Sequence, residues 1–242
     1  HVYTFPEKTE ITASEIEEFL GKEGYTFTTE LKEDIDLLQQ GKNIGSALKL
    51  KLSEEARAHI LERSRYFTKN PSLIWPKLKP FIEPLLVMTK LYTGVVANPP
   101  YMGQKNMNGA LKQYIGNYYP MSKYDLFAIF IEKMMSLINM NGRLGCITME
   151  SWMFLSSYEK LRKQILQNFT IDSLSHFGWY ILRIAFGTAA MIIKKREPKN
   201  TDIGIYSALK IDDIEKESFE PFVFPKKNNG RYSQMTQNNF FI

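Results

Sequence analysis

Apolar positions recur at helical spacing near the start of the chain. Ile16, Phe19 and Leu20 lie on one stripe behind a Thr12 or Ser14 cap, and Gly21 and Gly24 close the segment. Residues 52–67 open at Ser53-Glu54-Glu55 and continue as a helix-compatible stretch. Pro71, Pro76, Pro80 and Pro84 then predict short turns and helices in place of one continuous element. This first part reads as an irregular helical appendage. From Thr93 the period changes. Residues 94–97 (GVVA) form a short apolar strand stopped by Pro99, and residues 125–138 carry helical spacing at Phe127, Phe130, Ile131, Met134 and Leu137. Residues 142–149 (GRLGCITM) predict a second strand, 158–166 a helix, 171–177 a third strand and 188–194 (TAAMIIK) a fourth. Strands alternating with helices predict an α/β fold with a mainly parallel sheet covered by helices on its faces, in which ligands bind at the carboxyl ends of the strands.

Composition narrows the class. A 242-residue chain with 44% hydrophobic residues has enough apolar material for a real core, which excludes a disordered chain. The single cysteine, Cys146, has no internal disulfide partner and reads as buried and inert. The three histidines, His1, His59 and His176, show no structural-zinc spacing, so the chain reads as cytosolic and metal-free. No apolar run approaches the roughly 18 residues of a membrane span. The chain opens at His1 without an initiator Met or a signal-peptide pattern, and so reads as a piece of a longer protein.

The formal charge of +5 is concentrated. Residues 94–197 hold 12 Lys+Arg against 6 Asp+Glu, whereas residues 1–93 hold 13 against 14 and residues 198–242 hold 6 against 6. Residues 1–40 form an acidic, solvated face, with 10 acids and 3 bases. The basic middle segment favours contact with a polyanion such as nucleic acid.

The string Asn98-Pro99-Pro100-Tyr101 follows the first strand. Each proline biases its predecessor away from the helical region, which holds Asn98 and Pro99 extended in a rigid turn off the strand tip. The Pro99 carbonyl and the Asn98 amide oxygen then converge as acceptors on one small donor group, and Tyr101 offers a flat face beside them. Such a set suits a planar ring bearing an exocyclic amine. That amine is a poor nucleophile, because its lone pair is delocalised. Accepting its two N–H bonds favours a tetrahedral nitrogen with the lone pair aimed at an electrophilic methyl group, with no ionisable base in that step. A duplex buries the base, so it must be extruded and restacked on an aromatic side chain.

The tetrapeptide resembles the hallmark of the amino-methyltransferases. The likeness extends through Met102-Gly103, Lys105-Asn106-Met107-Asn108, Ser122-Lys123-Tyr124-Asp125-Leu126-Phe127-Ala128 and Thr148-Met149-Glu150-Ser151-Trp152-Met153-Phe154-Leu155-Ser156-Ser157. These strings are similar to the adenine-specific DNA methyltransferases of bacteriophage-exclusion defence systems (PglX-like), relatives of fused restriction-modification enzymes. Gly41 to Leu52 is similar to a segment of that family lying before the catalytic motif. The resemblance implies the later half of a Rossmann-like class I methyltransferase sheet, S-adenosylmethionine as cofactor, and double-stranded DNA and other defence-system subunits as partners. It further implies that Asn98, Pro99, Pro100 and Tyr101 are the catalytic residues, of which Asn98 and Pro99 bind the target amine and Tyr101 stacks on the flipped base, with Trp179 or Phe186 as the second stacking aromatic from the loop Phe177-Gly178-Trp179-Tyr180 to Phe186-Gly187. Trp152 and Phe154 edge the pocket or pack in the core.

The family places a glycine-rich cofactor loop upstream, yet none of the 14 glycines forms a Gly-x-Gly pair and no such strand and loop precedes Asn98. The expected organisation is therefore a helical connecting segment over 1–93, a catalytic half over 94–197, and an extension over 198–242 leading toward a target-recognition domain. On this reading the isolated chain neither binds the cofactor nor methylates DNA, and its unpaired sheet edge invites self-association. Two alternatives share the motif: transfer to a protein glutamine amide, which is also a planar delocalised NH₂, and a non-catalytic binding fragment. Lys105, Lys112 and Lys123 follow the motif in a loop rich in Asn, Gly and Tyr and are candidates for DNA phosphates or plain solvated positions. Lys194-Lys195-Arg196 reads as a strand exit and Lys226-Lys227 as part of a polar turn.

Overall fold

The structure is a computed structural model that describes residues 4–70, 72–179, 184–209 and 232–237. The chain divides into two compact units, residues 1–90 with 108–114, and residues 91–107 with 115–242.

The first unit is helical, with α1 (Ala13–Leu20), α2 (Thr28–Leu38), α3 (Gly41–Ile44), α4 (Glu54–Lys69) and α5 (Trp75–Met88). A reciprocal capping box starts α1: the Glu15 carboxylate accepts the Thr12 N–H at 2.8 Å, and the Thr12 hydroxyl accepts the Glu15 N–H at 3.2 Å. At its other end Arg63 Nε donates to the Phe19 carbonyl at 2.6 Å, and His59 Nε2 lies 2.8 Å from the Leu20 carbonyl, so α4 side chains serve the last carbonyls of α1. Phe19, Phe67 and Trp75 stack at 5.5 and 5.9 Å in a core that also buries Ile16, Leu31, Ile35, Leu38 and Ile60. The segment is thus a cored helical unit, more regular than the appendage its sequence suggested.

Two helices depart from the sequence reading. The proline-rich stretch is one continuous helix, α5, with Pro76 in its first turn and Pro80 and Pro84 inside. Each internal proline costs roughly 3 kcal/mol. Burial of Trp75, Leu78, Phe81, Ile82, Leu85 and Leu86 at roughly 1.5–3 kcal/mol apiece outweighs that. The loop expected after the tetrapeptide contains α6 (Gly109–Tyr118), whose start is capped by Asn108 Oδ1 accepting the Leu111 N–H at 2.8 Å.

The second unit is α/β. Strands β1 (Tyr92–Ala97), β2 (Ile138–Met149), β3 (Thr170–Gly178), β4 (Thr188–Lys194), β5 (Ile203–Ala208) and β6 (Tyr232–Thr236) form one sheet in the order β1-β2-β4-β3-β5-β6. The crossovers β1 to β2 and β2 to β3 run through α7 (Leu126–Leu137) and α8 (Glu159–Asn168). The expectation of a mainly parallel sheet is corrected: β4 inserts between β2 and β3 antiparallel to both, and β6 is antiparallel to β5. Residues 179–187 join β3 to β4, too few for the dozen or more that a parallel crossover needs, so β4 has to run back alongside β3.

The core lies on one face, where Leu144 and Cys146 of β2, Ile171 of β3 and Met191 and Ile193 of β4 pack with Phe127, Ile131 and Met134 of α7 and Leu161 and Ile165 of α8. Helix cover on both faces was expected. Successive right-handed crossovers progressing in one direction along a sheet put their helices on the same side, and so do α7 and α8. On the other face Val96, Ile192 and Ile205 fall in one row across the register and are 86%, 43% and 41% exposed.

Candidate functional site

Strand β1 ends at Ala97, paired with Cys146 of β2, so the tetrapeptide begins at the carboxyl end of a sheet-edge strand. Asn98 is exposed, Pro99 buried, Pro100 exposed and Tyr101 half-buried. The Tyr101 hydroxyl donates to Asn98 Oδ1 at 3.3 Å. An amide oxygen has two lone pairs, so this long bond leaves one acceptor site for another donor. Burial foremost, then the neighbouring Cys146 and Asp125, pushes the Tyr101 phenol above its usual value of 10, which keeps its proton available for that bond.

The turn after the tetrapeptide is tied to the start of α7. Asp125 Oδ1 accepts the Met102 N–H at 3.0 Å and the Phe127 N–H at 3.2 Å, the latter as N-cap of α7. Met102 O accepts the Leu126 N–H at 3.1 Å, and the Gln104 N–H donates to Tyr124 O at 2.9 Å. Burial raises the Asp125 carboxyl above the ordinary 3.8, against the lowering by its backbone bonds.

Among the aromatic candidates, Phe186 meets Tyr101 edge to face, with ring centroids 4.9 Å apart and planes at 82°. Trp179 is exposed at the end of β3, and Tyr180 lies outside the described residues. Trp152 is buried in the core cluster, and its turn is held by Arg162, whose Nη1 donates to Trp152 O at 2.9 Å. Phe154 is exposed and meets the His176 ring edge to face at 5.9 Å.

Sequence reasoning missed three residues here. Asp125 is the clasp just described. Glu150, the first residue beyond β2, donates its N–H to Gly187 O at 2.9 Å, and its carboxylate pairs with His176 Nε2 of β3. An acidic residue directly after the strand was the only sequence signal for it, and nothing local signalled His176.

Of the lysine candidates, Lys105 is exposed on the 3₁₀ turn Gln104–Asn106, and Lys123 Nζ sits 5.8 Å from the Tyr124 ring centroid. Lys112 is on α6 and belongs to the first unit. At the exit of β4, Lys195 Nζ donates to Ile138 O at 2.8 Å and Arg196 pairs with Asp202 at 2.7 Å, while Lys226 and Lys227 lie outside the described residues. Burial pushes the Cys146 thiol up to about 12, which removes it as a nucleophile. Among the described residues no group of His, Cys, Asp and Glu has the arrangement to hold a metal ion, and no helix is long and apolar enough to cross a membrane.

Residues 9–181 match the model of the Eco57I restriction-modification methylase family. The chain is 35% identical over 215 residues to the adenine-specific methyltransferase BrxX of Escherichia coli O9:H4 (strain HS), covering 82% of this chain and 16% of that protein. It is 36% identical over 159 residues to the adenine-specific methyltransferase PglX of Lacticaseibacillus casei (strain Zhang), covering 63% of this chain and 13% of that protein. Solved structures similar to it include the methyltransferase subunit of a type I restriction-modification system from Streptococcus thermophilus, with a TM-score of 0.47 at 12% identity over 63% of this chain and 36% of that one.

Proposed function

Because the chain belongs to the Eco57I restriction-modification methylase family, we propose that the whole protein transfers a methyl group from S-adenosylmethionine to the N6 amine of adenine in double-stranded DNA, and that this chain carries the side of the site that holds the amine. The observation that carries the reading is the exposed Asn98 at the carboxyl end of β1, with Tyr101 bonded to its amide oxygen and Phe186 against the Tyr101 ring. Asn98 Oδ1 and the Pro99 carbonyl accept the two N–H bonds of the amine. Both acceptors are neutral, so they draw the nitrogen toward a tetrahedral geometry without removing its proton first. Tyr101 gives the extruded adenine a stacking face, and Phe186 bounds the same slot. Lys105 and Lys123 contact phosphates beside it.

S-adenosylmethionine supplies the methyl group, and the described residues do not fit it as a whole. Glycines let a backbone approach a cofactor only where the space over them is open. Among the described residues, the glycines with open space over them lie inside elements or away from a strand's end, Gly94 within β1, Gly109 and Gly116 within α6 and Gly45 after α3, whereas a Cβ at Gly187 would meet the Glu150 carboxylate. We therefore assign the cofactor cradle to a part of the whole protein outside this chain, which spans 16% of its BrxX relative.

The test is Asn98→Ala in the full-length protein. Adenine methylation of DNA should fall by at least about 100-fold, while affinity for S-adenosylmethionine changes little. Methylation at the wild-type rate would overturn the assignment, and transfer to a protein amide in place of DNA would redirect it.

A further inference from the structure

Resting on that reading, we infer that Glu150 is a positioning residue that sets where Phe186 stands against Tyr101, and so the width of the slot an extruded base enters. Glu150 lies at the carboxyl end of β2, the strand beside β1. Three contacts converge on it. Its N–H donates to the carbonyl of Gly187, the residue after Phe186, at 2.9 Å. Its carboxylate pairs with His176 of β3, and its side chain is only 16% exposed. Its carboxylate also occupies the space a Cβ would take at Gly187.

The glycine is therefore explained by close approach: no positive φ marks it, and any larger residue there would collide with Glu150. Residues 179–187 precede the β2–β4 ladder, which runs from the pair Met149 and Thr188, so the Glu150–Gly187 bond is the backbone anchor that extends the ladder to the residue next to Phe186. With Gly187 held from the end of β2 and Glu150 braced from β3, Phe186 is delivered to Tyr101 at 4.9 Å. Glu150 itself touches neither aromatic ring of the slot in any described ring or hydrogen-bond contact, and its carboxylate is engaged by His176. Its effect on transfer then passes through Phe186.

The experiment uses the full-length protein and two duplexes of the site that the wild type methylates in genomic DNA, one with the target adenine for methyl transfer and one with 2-aminopurine in its place to report base extrusion only. Glu150→Ala and Gly187→Ala should each raise the KM for duplex by about 10- to 100-fold and weaken the 2-aminopurine signal of base extrusion, the size expected for an ångström-scale misplacement. Affinity for S-adenosylmethionine should be unchanged. The double variant should be no worse than Glu150→Ala alone, because both substitutions break one brace. The backbone bond to Gly187 is common to all these variants, so Glu150→Gln, whose amide still reaches His176, should stay within a few-fold of wild type. Should Glu150→Ala fail to fold, Gly187→Ala and Glu150→Gln decide. Wild-type duplex KM in either alanine variant, or losses that multiply in the double variant, would overturn the brace. A wild type that methylates no adenine, or a fully active Asn98→Ala variant, would overturn the functional reading instead.

Discussion

The carboxylate of Asp125 accepts the backbone N–H of Met102 at 3.0 Å while it caps α7 through Phe127, so one side chain starts a core helix and holds the turn leaving the Asn98 to Tyr101 segment. Stability and site geometry are joined at this residue. Asp125→Ala should lower unfolding free energy by about 1–2 kcal/mol, the usual cost of a lost N-cap. It should also lower methyl transfer in the full-length protein. Asp125→Asn keeps an acceptor oxygen and should restore most of both. Denaturant unfolding and single-turnover transfer on the two variants check this; equal stability of all three proteins would refute it.

Tyr101 has two separable roles in the proposed site. Tyr101→Phe keeps the ring and loses the bond to Asn98, which at about 0.5–1.5 kcal/mol corresponds to a loss of a few-fold to tenfold in transfer. Tyr101→Ala also loses the stacking face, at about 1–3 kcal/mol. Transfer rates should therefore fall in the order wild type, Tyr101→Phe, Tyr101→Ala, and a phenylalanine variant as impaired as the alanine variant would show that the hydroxyl, not the ring, carries the role.

In the first unit the buried Asp34 accepts the N–H groups of Lys51 and Leu52 at 3.0 Å, ahead of α4. Burial raises its carboxyl above the ordinary 3.8 more than those bonds lower it. A raised folded value means that this group favours the folded state most below pH 3.8, and that the contribution is lost as pH rises through the folded value. Asp34→Asn should flatten that part of the stability profile of the chain. Asp34→Ala should cost about 1–3 kcal/mol at every pH by leaving two backbone donors without their acceptor. Unfolding curves across the acid range test both, and an unchanged slope in the asparagine variant would assign the dependence elsewhere.

The chain by itself should not bind S-adenosylmethionine measurably, because a cofactor of that size needs most of its surface enclosed. It should self-associate through β1, an edge strand among the described residues, where Val96 is 86% exposed. Val96→Lys should reduce the association seen in sedimentation velocity. Tight calorimetric binding of the cofactor, or a monomer at every concentration, would refute the respective half of this expectation.

The sequence by itself determined the elements whose signals are local. The apolar run before Pro99 is β1, the capped stripe behind Thr12 is α1, and the periodic stretch after Asp125 is α7, because each depends on spacing, capping or proline geometry within a few residues. It also put Asn98 directly beyond a strand. Tertiary structure decided what depends on partners far along the chain. Pro80 and Pro84 remain inside α5 because a buried apolar face outweighs two lost backbone bonds. Strand β4 turns antiparallel because its connection is too short to cross over, and α7 and α8 share one face because their crossovers advance in one direction. Glu150, His176 and Gly187 are separated by 26 and 11 residues in sequence and meet only because β2, β3 and β4 lie side by side. No local pattern encodes that meeting; strand order does.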